Sequence, residues 1–272
     1  MTTKGTCALC LSQNVDLQDS HVLSQWVYKR IAFVPGTTGP KNPVMIRGGV
    51  AVETSKQIHG DFLCSACELR RGNHENYVSR ICWDSDGTFP IMAKLCPVPR
   101  LRPGEPFTLA DVRDFDAGSA AYFAVSTIWL ADAMGAAGVI KPLQKLNLGP
   151  KHREQLRQYL NVEQSFPTAA RIAMTVFRPD NGPVHFWRMA TLPFTESDHA
   201  LDEHRLLVCG LEFQLVVGAL LPIHLDEICL VHSSRKLVGF RSSFAAGGHA
   251  RGYSSSQPAR SRVASSRRSI RG

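Results

Sequence analysis

From Ala120 to Ile140 the chain reads AAYFAVSTIWLADAMGAAGVI, its longest apolar stretch. That pattern predicts a helix over Ser119–Ala137, apolar on all sides and closed by Gly135, Ala136, Ala137 and Gly138. Its length would suit a membrane span, but Asp132 inside it would cost ~2.5–3.5 kcal/mol in a bilayer, so a buried core helix is expected. Lys151–Asn161 carries charges on one face and Leu156, Tyr159 and Leu160 on the other, the pattern of an amphipathic helix. Thr108–Asp116 reads as a short capped turn. Beyond residue 168 the apolar positions shift to strand spacing. Ala169–Arg178 and Val184–Thr191 flank Pro179-Asp180-Asn181-Gly182-Pro183, which predicts a hairpin. Leu206–Val217 and Glu227–Val231 read as further strands, with Cys209 and Cys229 as buried thiols.

These elements divide the chain into three blocks. Residues 1–80 hold most of the punctuation, including the Gly/Pro-rich Pro35–Gly49. A Pro-studded connector, Cys96–Phe107, lies within the second block, 81–240, which reads as an α+β unit. Residues 241–272 are a Gly/Ser/Arg-rich tail, too poor in apolar surface to order itself. With 272 residues, 44% hydrophobic, the chain has material for one large domain or two smaller ones. The formal net charge of +8 is uneven: seven arginines and no acid fall in 241–272, leaving residues 1–240 at +1. No apolar run follows Lys4, so the reading is a soluble, cytoplasmic protein without a secretory signal.

In that compartment cysteine pairs point to metal rather than disulfides. Cys7-Ala8-Leu9-Cys10 and Cys64-Ser65-Ala66-Cys67 are two matched C-x-x-C turns. Each lets two sulfurs converge on one ion, and together they supply the four thiolates of a tetrahedral structural zinc site. Four thiolates and Zn²⁺ total −2, with no open position for catalysis. The 53 residues between Cys10 and Cys64 exceed the ~15–20 of a zinc ribbon, so a segment is inserted there. It opens with Asp19-Ser20-His21-Val22-Leu23-Ser24. After the second pair comes Glu68-Leu69-Arg70-Arg71-Gly72-Asn73-His74-Glu75, where Glu68 and Glu75, two helical turns apart, share a face.

These motifs resemble the treble-clef HNH endonucleases, above all HNH-like bacterial and phage proteins that run Cys-x-x-Cys, Glu-Ser-His, Cys-x-x-Cys-Glu. The likeness covers about residues 7–75, with a looser echo in Ser126-Thr127-Ile128-Trp129. It implies a small zinc-bound ββα-metal module, followed here by the α+β domain and the disordered basic tail. It also implies His21 as the general base on water, and Glu68 as a ligand where many members place His or Asn. A carboxylate there suits catalytic Mg²⁺ or Mn²⁺. Glu75 or His74 would complete or orient the site. The chain departs from the pattern in three places. Ser20 stands where many members have Asp, with Asp19 one further back. Leu23-Ser24 replaces Ile-Pro, and His59 lies near the place of the middle Asn.

The residues alone leave His21 open between base and hydrogen-bonded structural histidine, and Glu68 and Glu75 open between site residues and solvated helix charges. The resulting expectation is a metal-dependent endonuclease of HNH type acting on DNA. The alternative is a catalytically inactive, zinc-stabilised nucleic-acid-binding protein. Phosphate contacts would come from Lys29, Arg30, Lys41, Arg47, Arg70 and Arg71. The tail would be either a salt-sensitive anchor or a solubilising end.

Overall fold

The computed structural model describes residues 3–32, 44–47, 50–53, 57–84, 86, 88–96, 108–141, 146–177, 189–198, 201–219, 221, 223–232 and 237–241. The first half contains β1 (Thr3–Gly5), β2 (Val15–His21), α1 (Gln25–Ala32), β3 (Val44–Arg47), β4 (Val50–Glu53), β5 (His59–Cys64), α2 (Ser65–Ile81), α3 (Pro90–Lys94), β6 (Leu95–Cys96) and β7 (Thr108–Val112). The second half contains α4 (Ala117–Ala136), α5 (Gly149–Leu160), β8 (Ala170–Phe177), β9 (Phe194–Asp198), β10 (Leu201–Val208), β11 (Leu211–Val217), α6 (His224–Ile228) and β12 (Leu237–Arg241). This is an α+β architecture. A small antiparallel sheet runs β1-β2-β5, and a larger one runs β6-β7-β12-β8-β11-β10-β9. Among the described strands of the larger sheet only β12 and β8 pair in parallel; β3 and β4 pair separately, antiparallel.

The apolar helix lies at the centre, as its pattern predicts. Asp116 caps α4 by accepting from the Ser119 amide at 2.9 Å, and nearly every following side chain is buried. The helix packs against α2, α5 and the β8-β10-β11 face of the large sheet, which is why it has no polar side. Asp132 is satisfied inside this packing. It accepts from the Leu148 amide at 3.1 Å and pairs with Arg153 at 2.5 Å, tying α4 to the start of α5. Among the described residues no helix is long and apolar enough to cross a membrane. The core is continuous, passing from Leu9, Val22 and Phe62 through α4 to Phe213 and Val238.

Some elements differ from their sequence pattern. Thr108–Val112 is a strand, because β12 and β6 pair with it on either side; only Asp116 of that segment acts as a cap. Residues 224–228 form a helix rather than a strand. Asp226 on it pairs with Arg171, while Leu225, Cys229 and Leu230 are buried. The Pro179–Pro183 turn lies outside the described residues. Of its flanks, β8 pairs with β11 and β12, while Ala190 bridges to Val208 of β10. The Leu206–Val217 run folds back on itself at Cys209-Gly210, both with positive φ (45° and 87°), as a two-residue hairpin turn requires. Cys209 and Cys229 are buried thiols as expected, and burial pushes Cys209 up to about 12. Residues 242–272 lie outside the described part.

Candidate metal centres

Cys7 and Cys10 lie on the turn between β1 and β2. The Leu11 amide donates to the Cys7 carbonyl and the Cys7 amide to the Ser12 carbonyl, both at 2.9 Å. This closes a tight knuckle in which Leu11 takes a left-handed φ of 60°. Cys64 ends β5 and Cys67 sits in the first turn of α2, so the second pair spans a strand-to-helix junction. The Ala8 amide reaches the Phe62 carbonyl at 3.2 Å and brings the two turns together. All four sulfurs lie within 4.8 Å of one another, and Cys10 Sγ stands 3.7 Å from Cys64 Sγ. At ~2.3 Å from a tetrahedral zinc, two sulfurs stand ~3.8 Å apart, so the donor set and spacing are compatible with a structural zinc ion. The Cys64 amide also donates to Cys7 Sγ at 3.3 Å, which favours a thiolate there. Without a cation, the Cys67 hydrogen bond draws the Cys7 thiol down to about 4, while Cys67 is pushed far up by the same partner. Four thiolates this close together repel one another, and a dication relieves that crowding.

A second cluster lies on the same small sheet. Asp19 and His21 are two residues apart on β2, and His59 is the cross-strand partner of His21 on β5, so pleating carries all three to one face. The register shifts by one residue between Gln18 and Asp19, with Phe62 as the extra residue on β5. Ser20 points the other way, fully buried, and its Oγ accepts from the Leu63 amide at 3.2 Å. The imidazoles of His21 and His59 stack with centroids 5.0 Å apart. His21 Nδ1 lies 3.1 Å from the Asp19 carbonyl, an acceptor only, so Nδ1 carries the proton and Nε2 is left as an acceptor. His59 Nδ1 meets Asp19 Oδ1 at 2.5 Å. The ligand atoms of Asp19, His21 and His59 lie within 4.8 Å of one another, and the group is open to solvent.

Glu68 and Glu75 do share a face of α2, as their spacing predicts, and both turn to Arg71 between them. Arg71 Nη2 reaches Glu75 at 2.7 Å, Nη1 reaches Glu68 at 3.5 Å, and Nη2 donates to the His21 carbonyl at 2.9 Å. The Arg71 side chain is only 3% exposed. The structure thus joins His21, Glu68, Glu75 and Arg71 through one buried guanidinium that fixes the end of β2 against α2. His74 faces elsewhere. It bonds Ser119 Oγ at 3.0 Å and stacks on Tyr122 at 4.1 Å, and burial lowers its pKa.

Two further basic residues named from the sequence also have internal partners. Arg70 donates to the Leu160 carbonyl at 3.2 Å and Asn161 Oδ1 at 3.0 Å. Arg30 donates to the Trp83 carbonyl at 2.7 Å and lies over the Trp26 ring at 4.9 Å. Lys29 on α1 is exposed. Lys41 and the Arg47 side chain lie outside the described residues.

Sequence reasoning did not assign a role to His59 or to Arg157. The signal for the first was Asp-x-His on a strand, whose period of two demands a cross-strand neighbour. Arg157 left none for its contact with the first knuckle, since there it meets a main-chain carbonyl, that of Leu9 at 2.7 Å, while Glu154 and Glu163 hold the same guanidinium. No protein-family model, curated protein or solved structure matches the chain.

Proposed function

We propose that the chain is a metal-dependent endonuclease of HNH type that hydrolyses phosphodiester bonds in DNA, with a structural zinc ion in the four-cysteine cluster. The observation that carries this reading is the open Asp19–His21–His59 group. It lies on the antiparallel strands β2 and β5, of which β5 runs directly into α2, beside a four-thiol clamp that ties strand to helix. A ββα arrangement of this kind presents a base and metal-binding groups to a phosphate.

His21 suits the base. Its Nδ1 is anchored on the Asp19 carbonyl, so Nε2 takes a proton from water as the oxygen attacks phosphorus. Arg71 acts as a positioning residue by holding the His21 carbonyl, with Glu68 and Glu75 supporting its charge. A divalent cation, when bound, supplies charge stabilisation at the phosphate and the leaving oxygen. Arg70, Arg71 and Arg30 serve internal contacts, so the phosphate backbone is met by Lys29 and other exposed cations.

The test is plasmid nicking by the zinc-loaded protein in Mg²⁺ or Mn²⁺. Cleavage is expected with the wild type and a loss of at least 100-fold in His21→Ala, with zinc content and thermal unfolding unchanged. Equal cleavage by His21→Ala would remove this residue from the reaction. No cleavage with any divalent cation, together with salt-sensitive DNA binding, would leave the zinc-stabilised binding protein as the reading.

A further inference from the structure

We infer that Asp19 and His59 together form the cation site of the hairpin, gripping the ion from the two strands rather than from α2, and that the site takes Mn²⁺ in preference to Mg²⁺. Three observations lead there. First, the cluster of possible ligand atoms contains Asp19, His21 and His59 and, among the described residues, no carboxylate of α2. Glu75 is drawn to Arg71 at 2.7 Å and Glu68 faces the same guanidinium, so the helix offers the hairpin a positive group instead. Arg71 is buried, and a ligand carboxylate leaving it would abandon that charge in the interior.

Second, the two imidazoles are anchored differently. His21 Nδ1 rests on a main-chain carbonyl, a neutral partner that fixes its tautomer for proton transfer. His59 Nδ1 rests on the Asp19 carboxylate. Ligand atoms on a cation at ~2.1 Å stand ~3 Å apart, so a small opening of the 2.5 Å Asp19–His59 contact admits an ion between nitrogen and oxygen. The neutral His59 ring presents Nδ1 by carrying its proton on Nε2 instead. Third, both side chains are about half exposed, 53% for Asp19 and 46% for His59, which leaves room for water and a phosphate oxygen on the ion.

One imidazole with one carboxylate sets the metal class. Mg²⁺ prefers oxygen donors and near-ideal octahedral geometry, whereas Mn²⁺ accepts nitrogen and oxygen together. The ion's part in cleavage rests on the phosphodiesterase reading above; its binding does not.

The experiment is therefore a binding measurement, Mn²⁺ titration of the zinc-loaded full chain followed by electron paramagnetic resonance. One Mn²⁺ per chain beyond the zinc is expected, bound at least tenfold more tightly than Mg²⁺ in competition. His59→Ala and Asp19→Asn should each weaken it at least tenfold, with zinc content and thermal unfolding unchanged because both positions are exposed. His21→Ala and Glu68→Gln should stay within about twofold. Undiminished affinity in His59→Ala, a tenfold loss in His21→Ala or Glu68→Gln, or no binding at millimolar Mn²⁺ would overturn the assignment. Mn²⁺ binding that depends on His59, in a chain that never cleaves DNA, would support the cation site and refute the nuclease reading alone.

Discussion

Arg71 has two carboxylates and the His21 carbonyl as partners, and almost no contact with water. Truncating it leaves Glu75 facing the interior and removes a donor from the His21 carbonyl. Removing one member of a buried ion pair costs ~3–5 kcal/mol, and the partial exposure of both acids places this case near the lower end. Arg71→Ala is expected to destabilise the chain by about 3 kcal/mol in urea unfolding. Arg71→Lys should recover only part of that, since a point charge cannot serve three acceptors in a fixed fork. His204 offers a second test at this scale. It is fully buried on β10, with Nδ1 2.8 Å from Thr195 Oγ1 and Nε2 without a partner among the described residues. Burial lowers its pKa to about 4, against an ordinary value near 6.5, with Asp202 and Asp132 opposing that shift. Below pH 6.5 the unfolded chain takes up a proton that the folded chain refuses, so stability falls with pH until about 4. Between pH 6.5 and 5 the wild type should lose about 2 kcal/mol more than His204→Gln. Parallel pH profiles of the two proteins would show that His204 is not the group responsible.

At the scale of elements, legibility followed how far each segment's partners lay along the chain. The apolar run of α4 and the two-faced pattern of α5 were readable because helical hydrogen bonds are local and burial shows in the period. The four cysteines were readable because the C-x-x-C turn is itself a local structure. Thr108–Val112 was not, since it is a strand through pairing with β12, more than a hundred residues later, and nothing in TLADV announces that partner. The misread strand at 227–231 was a short apolar run of the kind periodicity cannot settle. At the site, Asp19 and His21 stood in plain view, but their relation to His59 depends on the register of β2 against β5 across a long insert. Glu68 and Glu75 were correctly seen to share a helix face. What turned them inward was Arg71, three residues beyond Glu68 and four before Glu75, taken from the sequence for a surface cation.

Over the whole molecule, the four-cysteine cluster is coupled to elements well beyond its own sheet. Its first knuckle offers the Leu9 carbonyl to Arg157 of α5, a buried guanidinium also held by Glu154 and Glu163. The same helix reaches α4 twice, through Arg153 to Asp132 and through the Arg153 carbonyl to Trp129 Nε1 at 3.1 Å. The second knuckle opens α2, which packs along α4. Metal lost from this cluster would therefore free both ends of a chain of contacts that runs through the central helix. If the knuckles were an appendage, chelation would melt them alone and leave the large sheet with its own transition. A continuous core and the Arg157 link argue for one cooperative unit instead. Stripping zinc from the full chain with a strong chelator is expected to lower a single calorimetric transition by roughly 10 °C or more, as the loss of several kcal/mol would in a chain of this size. Arg157→Ala should make the two events separable, because the knuckle would then lose its hold on α5. A wild-type chain that shows a distinct low-temperature step on chelation, with the main transition unmoved, would mean that the zinc module and the sheet fold independently.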